Sequence, residues 1–101
     1  MVCDIRFAPQ AEADEDAIVS YLARDLANPQ AAEHFLDELE GLVAVLERTP
    51  EAFPRAREPR LAALGYRKAP VMRYLALYRQ DGDGWVITHI FHQTQDYARL
   101  V

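Results

Sequence analysis

Arg73-Tyr74-Leu75-Ala76-Leu77-Tyr78-Arg79, the turn Asp81-Gly82-Asp83-Gly84, and Trp85-Val86-Ile87-Thr88-His89-Ile90-Phe91-His92 decide the fold. Both flanking runs are apolar at successive positions, so each reads as a strand covered on two faces, with the first as a central strand. The Asp-Gly repeat between them is a hairpin signal. Upstream, Gly65-Tyr66-Arg67-Lys68-Ala69 reads as a further strand ended by Pro70. Three such runs in succession predict an antiparallel meander.

Further upstream the period changes. Asn28-Pro29 is a helix start, with Asn as cap and Pro in the first turn. Ala32, Phe35, Leu39, Leu42 and Leu46 follow at helical steps, widened by Leu36 and Val43, and Thr49-Pro50 closes the helix. Before it, Pro9 opens another helix, whose acids Glu12, Asp14, Glu15 and Asp16 suit the positive end of a helix dipole. Ala11, Ala17, Ile18, Tyr21, Leu22 and Leu26 form its apolar stripe, and it should end near Ala27. The short connection predicts an antiparallel helical hairpin. Cys3, Ile5 and Phe7 alternate with Asp4 and Arg6, which predicts an N-terminal strand. Residues 50–63, with three prolines and four charges in residues 55–60, read as a surface loop with a helical turn near Leu61. Residues 95–101 read as one last helical turn. The class is α+β, with a helical hairpin on one face of a small, mostly antiparallel sheet.

The 101 residues predict one domain, 1–101. An apolar fraction of 50% and a charged fraction of 27% exclude disordered and low-complexity classes. No stretch approaches the ~20 apolar residues of a membrane span. The start has no apolar signal-peptide core, so export is not expected. The single cysteine, Cys3, fits a reducing cytoplasm. Net charge is −5, yet residues 1–51 hold 12 acids and 3 bases, whereas residues 52–101 hold 8 bases and 4 acids. The chain is therefore bipolar. An acidic total disfavours unspecific nucleic-acid binding, although a local basic face is compatible with it.

The order and spacing of these pieces resemble the ParE branch of the RelE/ParE superfamily of toxin–antitoxin toxins. The residues that carry the resemblance span most of the chain: Phe7-Ala8-Pro9-Gln10-Ala11, Tyr21-Leu22, Pro29-Gln30-Ala31-Ala32 with Phe35 and Leu39, Gly65-Tyr66-Arg67, Arg73–Arg79, and His89-Ile90-Phe91-His92 leading to Gln95-Asp96-Tyr97. The resemblance implies a toxin that inhibits DNA gyrase and is neutralised by a ParD-like antitoxin. No cofactor, no membrane partner and no direct sequence-specific nucleic-acid binding are expected. The RelE branch cleaves messenger RNA on the ribosome and places an arginine three residues before a central-strand tyrosine. Here that position is Leu75, which cannot stabilise a phosphorane, so no catalytic residue is expected. A RelE-like endoribonuclease and an inactive antitoxin-binding relative are the alternatives.

The helical hairpin is apolar over a wider arc than one sheet face can cover. The excess predicts an antitoxin groove at Tyr21, Leu22, Leu36 and Val43, with acidic partner residues meeting Arg67, Arg73 and Arg79. The plain reading of the same residues is core and solvated sheet charge. His89 and His92, three apart on a strand, face opposite ways and form no chelating pair, so no metal is expected. His89 is expected to share a face with Trp85, Ile87 and Phe91. The resemblance links the last strand and tail to toxicity, which nominates His92, Gln95, Tyr97 and Arg99 as target contacts, with Leu100 pinning the tail. The alternative is that Tyr97, Leu100 and Val101 only anchor it.

Overall fold

A computed structural model describes residues 2–101. Asn28 caps the longest helix as expected: its Oδ1 accepts from the Ala31 N–H at 3.1 Å, and Pro29 opens α2 (Pro29–Arg48). Ala32, Phe35, Leu39, Leu42 and Leu46 are its buried stripe. Before it come β1 (Ile5–Phe7) and α1 (Pro9–Ser20), and after it α3 (Pro59–Ala63), β2 (Arg67–Val71), β3 (Tyr74–Asp81), β4 (Gly84–His92) and α4 (Tyr97–Leu100).

The sheet order is β1-β4-β3-β2. β2, β3 and β4 form the antiparallel meander, and β1 adds parallel to β4, with Ile5 opposite Trp85. Gly82 turns the β3–β4 hairpin at φ +62, a conformation that favours glycine. At Gly84 a side chain would meet the Asp4 carbonyl at 3.0 Å, because β1 crosses there.

Two hydrophobic clusters sandwich the sheet. The helical hairpin covers one face through Phe35, Leu39, Leu46, Tyr74, Tyr78 and Ile87. On the other face Ala56, Leu61, Tyr66, Leu77 and Phe91 pack under the 56–66 segment, joined by Tyr97, Ala98 and Val101 of the tail. The two-sided strands thus have covers on both sides.

Four expectations need correction. Pro70 lies inside β2 rather than ending it, opposite Leu75; β2 is an edge strand, where a missing N–H leaves no ladder bond unmade. His89 does not share a face with Trp85 and Ile87. The β3–β4 register shifts between Leu77 and Tyr78, so Leu77 pairs with His89 but Tyr78 with Ile87. The extra residue, Thr88, reverses the alternation. Trp85 and Ile87 enter the helix-side core, whereas His89 stacks on Phe91 at 5.3 Å on the other face. Leu100 does not pin the tail: it is exposed, and Tyr97, Ala98 and Val101 do the packing. The first helix is regular only to Ser20 and continues as a π-helical turn, Tyr21–Asp25. That wider turn breaks the 3.6-residue stripe, so Ile18 and Leu22 are buried while Tyr21 and Leu26 are exposed.

Candidate functional site

The exposed end of that stripe forms one wall of a cleft of about 820 Å³. Ala17, Ile18, Tyr21, Leu22 and Leu26 line it from the hairpin. Met72, Arg73 and Tyr74 line it from the β2–β3 turn, and His92, Thr94 and Gln95 from the end of β4. Backbone irregularity concentrates here. Met72 sits at φ +56 and Ala27 at φ +47, both uncommon for residues with a side chain. The outcome is an exposed apolar patch made of Tyr21, Leu26 and Met72, and contiguous patches of this kind mark binding surfaces.

Hydrogen bonds fix the polar rim. The His92 N–H donates to Gln95 Oε1 at 2.8 Å, and the Gln93 N–H donates to the Arg73 carbonyl at 3.0 Å. The Thr94 N–H points at His92 Nδ1 at 3.2 Å, and the Thr94 hydroxyl lies 2.8 Å from the same nitrogen. Tyr74 meets His92 edge-on at 5.4 Å. Burial, with Tyr21 nearby, raises the Tyr74 hydroxyl above its usual range, so it stays protonated. Arg73 has no carboxylate partner among the described residues. Among the described residues no acid lines the cleft. Apolar walls with one free cation suit an amphipathic segment carrying a carboxylate.

The structure brings together five of the nominated residues: Tyr21, Leu22, Arg73, His92 and Gln95. It does not bring Leu36 or Val43 there. Leu36 is exposed on α2, and Val43 packs against the helix-side core. Arg67 and Arg79 line a separate notch at the opposite end of β3. Arg99 is on the surface with Asp96, 3.9 Å away. Tyr97 turns inward: its hydroxyl accepts from Lys68 Nζ at 2.9 Å and donates to Glu58 Oε2 at 3.0 Å, and its ring stacks on Phe91. The hydrogen bond from its own backbone, then Tyr97 and Lys68, holds the Glu58 carboxyl below the usual range against its partial burial. Burial opposes the charge on Lys68, but Tyr97 and Glu58 outweigh it and raise the amine. Leu75 is partly buried on β3, opposite Phe91.

Sequence reasoning missed Ala17, Ile18, Leu26, Met72, Tyr74 and Thr94 as cleft residues. A signal existed: only Pro70-Val71-Met72 separates the strand-like runs 65–69 and 73–79, a gap short enough for a tight hairpin.

Residues 5–97 match the family profile described as the ParE toxin of the type II toxin–antitoxin system parDE. No curated protein matches the chain in sequence. Among solved structures, the chromosomal ParDE toxin–antitoxin system from P. aeruginosa superposes with a TM-score of 0.72 at 21% identity, over 90% of this chain and 96% of that one. The YoeB dimer from Staphylococcus aureus gives 0.62 at 15%, over 91% and 98%. YafQ from E. coli gives 0.58 at 18%, over 97% of each chain. At such identities these likenesses bear on the fold alone.

Proposed function

The chain belongs to the ParE toxin family of type II toxin–antitoxin systems, and from that premise we propose that it is a cytoplasmic, binding-type toxin that inhibits DNA gyrase and is silenced by a ParD-like antitoxin. The observation that carries the antitoxin half is the cleft: exposed Tyr21, Leu26 and Met72 beside an unpaired Arg73. An amphipathic antitoxin segment fills the apolar wall and sets a carboxylate on Arg73. His92 and Gln95 border the same opening, so a segment seated there also covers part of the nominated target surface, which extends to Arg99 and the Tyr97-anchored tail. Leu75 supports action without chemistry, because an apolar side chain in the central strand offers a transferring phosphoryl group no cation.

Inducible expression of this chain, alone and with the small open reading frame beside its gene, tests the reading. Growth arrest with a DNA-damage response, relieved by the neighbour, is expected. Site-specific transcript cleavage without a DNA-damage response would replace it with the endoribonuclease reading.

A further inference from the structure

Met72 differs chemically from the rest of the cleft wall. With Arg73 it forms the turn between β2 and β3. Two hydrogen bonds tie that turn to the end of β4: the Gln93 N–H donates to the Arg73 carbonyl at 3.0 Å, and Gln93 Nε2 donates to the Met72 carbonyl at 3.5 Å. The backbone at Met72 is held at φ +56. In that conformation Met72 lines the cleft and keeps 38% of its surface exposed, as Tyr21 and Leu26 do on the facing wall. An apolar side chain is thus presented to solvent on a fixed turn, beside the Arg73 guanidinium that pairs with no carboxylate among the described residues.

Of the apolar side chains in this wall, only the thioether becomes polar under a mild two-electron oxidant. With hydrogen peroxide the sulfur lone pair attacks one oxygen, the O–O bond breaks, an S–O bond forms and water leaves. Sulfur loses two electrons and the peroxide gains them. Methionine sulfoxide reductases reverse the change with a dithiol, which becomes a disulfide as the oxygen leaves as water. The sulfoxide has a strong acceptor oxygen and no donor. Against an apolar partner surface that oxygen is buried unpaired. In the same cleft it also competes with a partner carboxylate for the Arg73 guanidinium.

We propose that Met72 is a reversible oxidation site that switches the cleft from high to low affinity for the antitoxin. The inference rests on the reading of the cleft as the antitoxin site. A seated antitoxin segment covers Met72, so oxidation takes place on the free toxin and keeps it from being captured again. Reduction of the sulfoxide restores capture.

The test uses the intact chain and its antitoxin. The toxin is treated with hydrogen peroxide, the added oxygen is located by peptide mass spectrometry, and antitoxin binding is followed by calorimetry. Sulfoxide at Met72 should weaken binding by about tenfold, the scale of one polar group buried unpaired. Thermal unfolding should barely change, because the side chain sits on an exposed turn. Sulfoxide reductase should restore the affinity, and antitoxin added before the peroxide should protect Met72. Met72→Leu keeps the wall apolar and should bind like wild type before and after peroxide, although it retains Met1 and Cys3. Met72→Gln, polar from the outset, should bind weakly without treatment. Tyr21→Asp and Arg73→Glu report on the cleft itself: if neither weakens binding, the cleft reading falls and the switch falls with it. If they do weaken it, while oxidised Met72 binds as tightly as untreated protein or Met72→Leu loses affinity equally in peroxide, the cleft reading stands and the switch is overturned.

Discussion

Replacing Asp14 with alanine should destabilise the protein far more than an acid on an exposed helix normally does. β1 ends at Phe7, and the Ala8 N–H makes the last bond of that edge, to the Ile87 carbonyl at 2.9 Å. Beyond it the outward N–H groups of β4 have no strand partner. Asp14 supplies one from α1: its Oδ2 accepts from the Ile90 N–H at 2.9 Å, and Ile90 is buried. In Asp14→Ala that donor is left unpaired next to the core. A hydrogen bond to a charged group contributes ~1.5–3 kcal/mol, and the better helix propensity of alanine returns about 0.6. Asp14 is past the first turn of α1, so the helix-dipole contribution is small. The net cost is about 1.7 kcal/mol, or a fall in Tm of about 7–14 °C for a domain of this size. Chemical and thermal denaturation of the purified protein measure it, with Asp16→Ala as the exposed control expected within ~0.5 kcal/mol of wild type. If Asp14→Ala also stays within that margin, the carboxylate is not tying α1 to β4.

His89 lies below the ordinary histidine range, chiefly because burial disfavours its charged form; Asp14 opposes this and Arg79 reinforces it. The folded state therefore binds fewer protons than the unfolded one. Its contribution is fully present above the unfolded value of ~6.5 and is lost as pH falls through the lower folded value; His89→Gln should flatten the fall in stability below pH ~6.5 in denaturant titrations. Tyr97→Phe keeps the stack on Phe91 but removes the hydroxyl between Lys68 and Glu58, and should cost about 1 kcal/mol. Because Glu58 is depressed, its stabilisation is present above ~4.5 and lost as pH falls below that; Tyr97→Phe should reduce this acid loss in the same titrations. On the antitoxin side, Tyr21→Asp and Arg73→Glu should each weaken the complex by ~2 kcal/mol or more in calorimetry, as interface anchors do, whereas Leu36→Asp, outside the cleft, should change it little.

Much of this architecture was readable because single residues carried unambiguous local physics. Asn28 with Pro29 set the start of α2, the 32-35-39-42-46 spacing set its buried face, and Asp81–Gly84 set the hairpin. What escaped depended on events that periodicity averages out. One extra residue at Thr88 moved His89 to the other face, and one π-helical turn released Tyr21 and Leu26 from the core. Asp14 read as a helix-dipole acid, because no sequence pattern announces that β1 will stop short and leave the Ile90 N–H to be satisfied. The same limit split the nominated site. Arg67, Arg73 and Arg79 look like one basic stretch in the sequence, yet β3 separates Arg73 at one end from the other two near its opposite end. Tyr97 looked like a surface aromatic of the tail until the fold placed Lys68 and Glu58 around its hydroxyl.

The most direct test of the toxin assignment is a supercoiling assay with purified gyrase, relaxed plasmid and this protein, run with and without its antitoxin. Loss of supercoiling, restored when the antitoxin is added first, is the predicted result. Undiminished supercoiling at a large excess of folded toxin, by a protein that still arrests growth when expressed, would contradict it.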